Sequence, residues 1–158
     1  MHVPLFATLS FLGALVLASV PGSAANADGG ADVAIPASAL IQPADLAARL
    51  SSAGSQPVIL QVGFSVLYAE AHIPKAQYAG PTSKEEGIQN LNKHVGRLPR
   101  DQLIVIYCGC CPWIRCPNIA AGYLQLRALG FTNVKALYLA HNFGEDWVDK
   151  GYPVERGE

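Results

Sequence analysis

The sequence predicts an α/β fold with a mostly parallel central sheet and helices on both faces. Apolar runs of strand length alternate with segments of helical periodicity, which is the pattern of strand–helix–strand units. The runs at residues 58–62 and 103–107 are apolar almost throughout, as expected for parallel strands that are buried on both faces. The chain has 158 residues, which is enough for one compact domain with its own core.

The first half of the domain contains two predicted strands and three helical segments. Pro43 at a first helical position and Asp45 in the first turn predict the start of one helix, and Gly54 follows its end. Pro57 and Gly63 bound the longer strand. The elements are a strand at 40–41, a helix at 43–50, a strand at 58–62, a helical turn at 67–71 and an amphipathic surface helix at 82–96, with Ile88, Leu91 and Val95 at helical spacing.

The second half begins with the strongest strand of the sequence, at 103–107. A cysteine-rich loop follows it directly, and Pro117 then opens a helix that ends at Gly130. A strand is predicted at 134–139 and a short helix around Trp147. The helix residues expected to face the core are Ile119, Tyr123, Leu124 and Leu126.

The N-terminal segment has the pattern of an export signal. Residues 5–20 are largely apolar, Pro21 and Gly22 break the run, and residues 25–27 (Ala-Asn-Ala) have the form of a signal-peptidase site. The run is short for a membrane span, which needs about 20 apolar residues. We expect residues 1–27 to be a cleaved signal peptide, 28–38 a flexible lead-in and 39–158 the folded domain. The mature protein would be periplasmic or secreted, with no stable membrane anchor.

Composition limits the partners. The formal net charge is -1, and 51% of the residues are hydrophobic. Such a balance argues against nucleic acid and against an anionic membrane surface as partners. It favours a small molecule or a protein thiol. We expect a monomer without a cofactor.

All four cysteines lie in one short segment, as Cys108, Cys110, Cys111 and Cys116. A disulfide framework would distribute cysteines along the chain to join distant loops. These cysteines join nothing distant, so they predict a local site. In a parallel sheet, ligands bind beyond the carboxyl ends of strands, where loops enter helices. Cys108 follows the 103–107 strand at such a place.

The sequence resembles the rhodanese-like domain, and the resemblance covers roughly residues 39–155. Its landmarks occur in the expected order and spacing. They are the strand at 58–62, the His-Ile-Pro segment at 71–76, the strand at 104–107 that leads into Cys108, Ala120 and Ala121 in the next helix, the segment at 129–134, and Trp147 with Gly151, Tyr152, Pro153 and Val154.

The resemblance implies a three-layer rhodanese-like fold and a sulfurtransferase of the thiosulfate or persulfide type. In that family a cysteine at the end of a central strand takes a sulfur atom from a donor, holds it as a persulfide and passes it to a thiol-bearing acceptor. Cys108 is then the nucleophile, and the helix N-terminus after the loop would favour its thiolate. The loop residues expected to bind substrate are Gly109, Cys110, Cys111, Pro112, Trp113 and Arg115.

The loop departs from the family pattern. It is about three residues longer than usual, and an ungapped count back from the helix places Cys111 at the catalytic position. Cys111 is therefore the second candidate nucleophile. Residues 61–63 (Gln-Val-Gly) stand where the family often has Asp-Val-Arg, so a charged pair is missing.

The remaining cysteines leave alternatives open. Cys116 is expected to pair with Cys110 or Cys111 in an oxidising compartment, or one of the three acts as a resolving thiol. The spacing from Cys108 to Cys111 is C-x-x-C, so a thiol–disulfide redox protein is the second hypothesis. A metal- or anion-binding module without turnover is the third, although no metal ligand set is assigned. His141, just after a strand, is a further residue that could approach the site.

Overall fold

The structure is a computed structural model that describes residues 1–2 and 35–157. Its centre is a five-stranded sheet in which every strand pairing is parallel. The strand order is β1-β5-β4-β2-β3. The strands are β1 (Leu40–Ile41), β2 (Val58–Gln61), β3 (Gln77–Tyr78), β4 (Ile104–Tyr107) and β5 (Val134–Leu137). The predicted α/β fold class is confirmed.

Helices connect the strands and cover both faces of the sheet. They are α1 (Pro43–Leu50), α2 (Ser65–Glu70), α3 (Glu85–Val95) and α4 (Pro117–Ala128). Short 3-10 turns lie at Ala37–Ala39 and Trp113–Arg115, and a π-helical turn lies at Gly144–Val148. Pro43 and Pro117 each occupy the first position of a helix. A backbone N–H at that position has no acceptor within the helix, so proline costs no hydrogen bond there.

The two faces of the sheet carry separate apolar clusters, because successive strand side chains point to opposite sides. One cluster joins Ile104 and Ile106 of β4 to α3 and α4. The other joins Val105 and Tyr107 to α1, α2 and the turn that holds Trp147. All four β4 side chains are buried, so the residue that follows β4 emerges from the most deeply buried strand of the sheet.

Several details differ from the sequence-based expectations. Strand β3 was not predicted, because two residues with a polar Gln77 carry no apolar signature. Helix α3 starts at Glu85 rather than at Thr82, which is buried and packs outside the helix. Leu124 is 44% exposed and does not face the core, unlike Ile119, Tyr123 and Leu126.

The His-Ile-Pro segment is bound to the C-terminal end of the domain. His72 and Glu155 exchange two backbone hydrogen bonds, of 2.9 and 2.8 Å. The His72 ring stacks on Tyr68 with centroids 3.9 Å apart, and its Nδ1 lies 2.8 Å from the Tyr68 carbonyl oxygen. His72 therefore has a structural role in this turn.

The predicted signal peptide at 1–27 and the predicted lead-in at 28–38 lie almost entirely outside the described residues. Within the described part of the chain, no helix is both long enough and apolar enough to cross a membrane.

Candidate active site

Cys108 lies directly after β4, the middle strand of the sheet, with β2 on one side and β5 on the other. Only 2% of its surface is exposed. The parallel strands end at the same edge, so β2 brings Gln61 and the residues after it beside Cys108. The predicted nucleophile therefore occupies the position where parallel sheets place their ligand sites.

Asn118, the second residue of α4, faces the sulfur of Cys108. Its Nδ2 donates to Cys108 Sγ at 3.3 Å. Its Oδ1 accepts a hydrogen bond from the backbone N–H of Ser83 at 3.0 Å, and Thr82 Oγ1 donates to its carbonyl oxygen. Because Oδ1 is engaged by an N–H, the amide is oriented with its donor towards the sulfur.

Gln61 and Gly63 shape the other side of the site. Gln61 Nε2 donates to the Cys108 carbonyl oxygen at 3.2 Å, and its Oε1 accepts from the Gly63 N–H at 3.1 Å. A Cβ at Gly63 would stand 2.9 Å from Cys108 Sγ. Glycine at this position thus leaves the space that the cysteine sulfur occupies.

Gly109 turns the chain out of the sheet immediately after Cys108. Its φ is +79°, in the left-handed region that favours glycine. A Cβ here would approach Phe143 Cβ to 2.5 Å, and the Phe143 N–H donates to the Gly109 carbonyl oxygen at 3.2 Å. Within the described residues, the backbone N–H groups of Gly109, Cys110 and Cys111 donate no hydrogen bond. They are available to bind an anion, as in other runs of successive N–H groups.

The four sulfurs form a connected group. Cys108 Sγ lies 3.2 Å from Cys110 Sγ, which lies 3.1 Å from Cys111 Sγ. The sulfurs of Cys108, Cys110 and Cys116 lie within 4.8 Å of one another. None of the four cysteines is in a disulfide in this structure. Cys111 does not belong to this group of three, and its sulfur contacts those of Cys110 and Cys116.

The three loop thiols are held in the protonated form. Burial, followed by hydrogen bonding with Cys111, raises the pKa of Cys110 to about 12. Burial also raises the pKa of Cys111. Hydrogen bonding with Cys108 and then burial raise the pKa of Cys116, although nearby backbone N–H groups of α4 act in the opposite direction. At neutral pH these residues are thiols, suited to donate hydrogen bonds to a sulfur anion.

The rest of the loop is anchored by Trp113. Its ring packs against Tyr138 with centroids 5.2 Å apart, and its backbone N–H donates to the Ala140 carbonyl oxygen at 3.4 Å. Arg115 and Ile114 are exposed, the latter at 84%. The structure thus gathers the cysteines and Gly109 at the sulfur of Cys108, whereas Arg115 is displayed at the surface.

His141 does not join the cysteine cluster. Its Nδ1 lies 3.1 Å from Asp146 Oδ1, and its backbone N–H donates to Asp146 Oδ2 at 2.7 Å. The hydrogen bond with Asp146 raises the pKa of His141. This exposed pair fixes the turn that leads into the Trp147 segment.

A model of the rhodanese-like domain matches residues 42–139, more than half of the chain. The protein belongs to the rhodanese-like family. Membership places the rhodanese-like chain in a sulfurtransferase-type superfamily, and it confirms the family expected from the order of the sequence landmarks.

Solved structures share this fold at low sequence identity. The BH2092 protein from Bacillus halodurans aligns with a TM-score of 0.58 and 22% identity, covering 74% of this chain and 76% of that one. The Alr3790 protein from Anabaena sp. gives 0.56 and 21%, covering 74% and 92%. A rhodanese-like domain protein from Staphylococcus aureus gives 0.51 and 18%, covering 75% and 97%. No curated protein matches this chain. These similarities establish the fold alone.

Two residues that contact Cys108 were not identified from the sequence. Asn118 is one of several polar residues after a helix-initiating proline, and nothing local marks it as a donor to a distant sulfur. Gln61 carries a weak signal, since it is a polar residue inside an apolar strand and is 1% exposed in the structure.

Proposed function

We propose that this rhodanese-like protein is an exported sulfurtransferase or persulfide carrier in which Cys108 is the nucleophile. The observation that carries the proposal is the placement of Cys108 Sγ at the end of the middle strand, with Asn118 Nδ2 donating to it at 3.3 Å. A donor aimed at sulfur stabilises a thiolate more than a neutral thiol, because hydrogen bonds to charged groups are the stronger ones.

The reaction is a transfer of sulfane sulfur. The Cys108 thiolate attacks the outer sulfur of a donor such as thiosulfate, the donor's S–S bond breaks, and sulfite leaves with the electron pair. Cys108 then carries a persulfide anion. An acceptor thiolate attacks the outer sulfur, forms its own persulfide and returns Cys108 to the thiolate. Sulfur and charge balance in both steps, and no external oxidant or reductant is consumed.

The loop supplies what the persulfide anion needs. The unpaired N–H groups of Gly109, Cys110 and Cys111 form a run at the start of the loop, and such runs bind anions. The protonated thiols of Cys110 and Cys116 lie against Cys108 and add donors. Gly63 leaves the space beside the sulfur. The site suits a small sulfur donor and a thiol-bearing acceptor.

Single Cys→Ser variants test the assignment. Purified reduced protein would be incubated with thiosulfate, or with a persulfide donor followed by a thiol acceptor, and the added sulfur measured by intact-mass analysis. We expect Cys108→Ser to lose sulfur loading and Cys111→Ser to retain it. Loading that survives in Cys108→Ser but disappears in Cys111→Ser would move the role to Cys111. An unmutated protein that accepts sulfur from neither donor would contradict the proposed activity.

Export rests on the Ala-Asn-Ala site at 25–27. Sequencing the N-terminus of the protein produced with its natural leader should give Asp28 as the first residue, in the periplasmic or secreted fraction. A membrane-bound chain that retains Met1 would contradict export by cleavage.

A further inference from the structure

We propose that Cys108, Cys110 and Cys116 form a three-sulfur binding site for Cu(I). Their sulfur atoms lie within 4.8 Å of one another. Within the part of the chain that the structure describes, this is the one group of three or more metal-ligating side chains that converges so closely. Because thiolates are soft ligands, the group selects soft metal ions.

The spacing fits three-coordinate binding. Three sulfurs placed about 2.3 Å from one ion, the usual zinc–thiolate distance, would stand about 4 Å apart in a plane. The three sulfurs lie within 4.8 Å of one another, which is compatible with a separation of about 4 Å. The sulfurs of Cys108 and Cys110 are 3.2 Å apart, closer than that separation. Cys108 is fixed at the end of β4 and Cys116 at the start of α4. Cys110 lies in the loop between them, so rotation of its side chain can open the contact.

The composition of the group favours Cu(I) over Zn(II). Structural zinc sites have four ligands, but no histidine, aspartate or glutamate among the described residues joins the three cysteines. The fourth cysteine, Cys111, contacts Cys110 at 3.1 Å and hydrogen-bonds Cys116, but it does not belong to the group whose sulfurs all converge. Three converging soft ligands match an ion that accepts low coordination and prefers thiolates.

Hydrogen-bond donors around the sulfurs offset the charge of the complex. Three thiolates and one Cu(I) carry a net charge of -2. Asn118 Nδ2 already donates to Cys108 Sγ at 3.3 Å, and the unpaired N–H groups of Gly109 and Cys111 lie at the same loop. Cys108 is buried and the other two ligands are half-buried, so water has little access to the ion. Outer donors of this kind hold metal ligands in place.

The test is a Cu(I) titration of the reduced full chain without oxygen, in competition with a chromogenic Cu(I) chelator. We expect one equivalent to bind, and X-ray absorption to show three sulfur neighbours. Cys110→Ser and Cys116→Ser each remove a ligand and should weaken binding by more than about 100-fold, beyond the usual effect of outer partners. Cys111→Ser is the matched control and should bind within about twofold of the unmutated protein, because its sulfur is not a ligand.

The variants are first compared by circular dichroism and thermal unfolding. If Cys116→Ser fails to fold, Cys110→Ser alone provides the test, because Cys110 lies in the loop. Weakening by Cys111→Ser equal to that of the ligand variants would overturn the site, as would two or four sulfur neighbours or tighter binding of Zn(II). Sulfur loading is not part of this readout, so the copper site and the proposed sulfur transfer can fail independently.

Discussion

The side-chain amide of Asn118 reaches from the first turn of α4 to the sulfur of Cys108, and the two atoms are 3.3 Å apart. The same amide accepts a hydrogen bond from the Ser83 N–H, which comes from the segment before α3. Three parts of the chain therefore meet at one side chain. The proposed nucleophile therefore faces an oriented side-chain donor, the Asn118 amide.

Asn118→Asp should slow sulfur loading by about 10- to 100-fold, since a hydrogen bond to a charged group contributes about 1.5–3 kcal/mol. The carboxylate keeps the acceptor for Ser83 but places a negative charge against the Cys108 thiolate. The measurement is the rate of loading, with iodoacetamide alkylation of Cys108 as a second probe. Asn133→Asp makes the same change at the opposite, amino end of β5 and should leave both rates unchanged. Equal effects from the two variants would contradict a role for Asn118 at the sulfur.

Gly63→Ala should destabilise the domain by about 1–3 kcal/mol, the usual cost of an added methyl group in a packed site. The new Cβ would lie 2.9 Å from both Cys108 Sγ and Gln61 Nε2. Sulfur loading should fall as well, because the sulfur must move. The control is Gly54→Ala, where the nearest atom to the new Cβ outside the adjacent residues is Ser52 Oγ, 3.8 Å away. If Gly63→Ala had the same free energy of unfolding in urea and the same rate of sulfur loading as the unmutated protein, close packing around Cys108 would be contradicted.

Lys75→Gly should stabilise the domain by up to about 1 kcal/mol. Lys75 has a φ of +63°, a conformation that costs an L-residue about 1–2 kcal/mol, partly offset by the greater unfolded-state freedom of glycine. Its N–H donates to Glu155 Oε2 at 3.1 Å, and glycine retains that N–H. Lys84→Gly, at an exposed site with a φ of -117°, should give no stabilisation. The free energy of unfolding of each variant, measured with a chemical denaturant and compared with that of the unmutated protein, tests this prediction.

Asp146→Asn should return the pKa of His141 towards its usual value near 6.5, since the hydrogen bond and charge of Asp146 raise it. Burial raises the pKa of Asp146, but the hydrogen bonds from His141 lower it overall. The carboxylate contributes stability above its unfolded pKa, near 3.8, and loses it as pH falls through the folded value. The imidazolium contributes below pH 6.5 and loses its contribution as pH rises through its raised value.

The destabilisation caused by Asp146→Asn should therefore be largest between about pH 4 and 6.5. Proton NMR titration gives the pKa of His141. The free energy of unfolding, measured at several pH values, shows the pH range in which Asp146→Asn is destabilised. Glu145→Gln is the control with a weaker effect, because its carboxylate lies 4.0 Å from His141 Nδ1. An unchanged His141 pKa in Asp146→Asn would show that the pair is absent in solution.

Under oxidising conditions we expect Cys116 to form a disulfide with Cys110. The sulfurs of Cys110 and Cys116 already lie within 4.8 Å, and Cys111, whose thiol also hydrogen-bonds Cys116, is the alternative partner. Alkylation before and after reduction, followed by peptide mapping, identifies the pair. Four cysteines that alkylate freely without reduction would contradict the prediction, and a Cys111–Cys116 peptide would reassign the partner.

The sequence predicted the parts of the fold that have a local signature. Strand β4 is a continuous apolar run, and Pro117 marks the start of α4. Strand β3 has no such signature, since its two residues are defined only by pairing with Leu60 and Gln61 of β2. Leu124 was assigned to the core because its neighbours are apolar, but helical geometry turns it outward.

At the site, the position of Cys108 followed from its place directly after an apolar strand and from the carboxyl-edge rule. Its partners did not, because they come from other elements. Asn118 reaches Cys108 only because α4 packs against the end of β4, and no pattern in the cysteine spacing tells which three sulfurs converge. Their convergence depends on the path of the loop, where Pro112 and the turn at Trp113–Arg115 bring Cys116 back towards Cys108.

Because Cys108 is only 2% exposed, its chemistry with any reagent also depends on the opening of the loop that covers it. The observed rate constant is the intrinsic rate constant multiplied by the fraction of molecules in the open conformation. An open fraction of 1%, equivalent to about 2.7 kcal/mol, would slow every reagent about 100-fold. At high reagent concentration the rate then stops rising, and the plateau equals the opening rate of the loop, which is the same for reagents of different intrinsic reactivity.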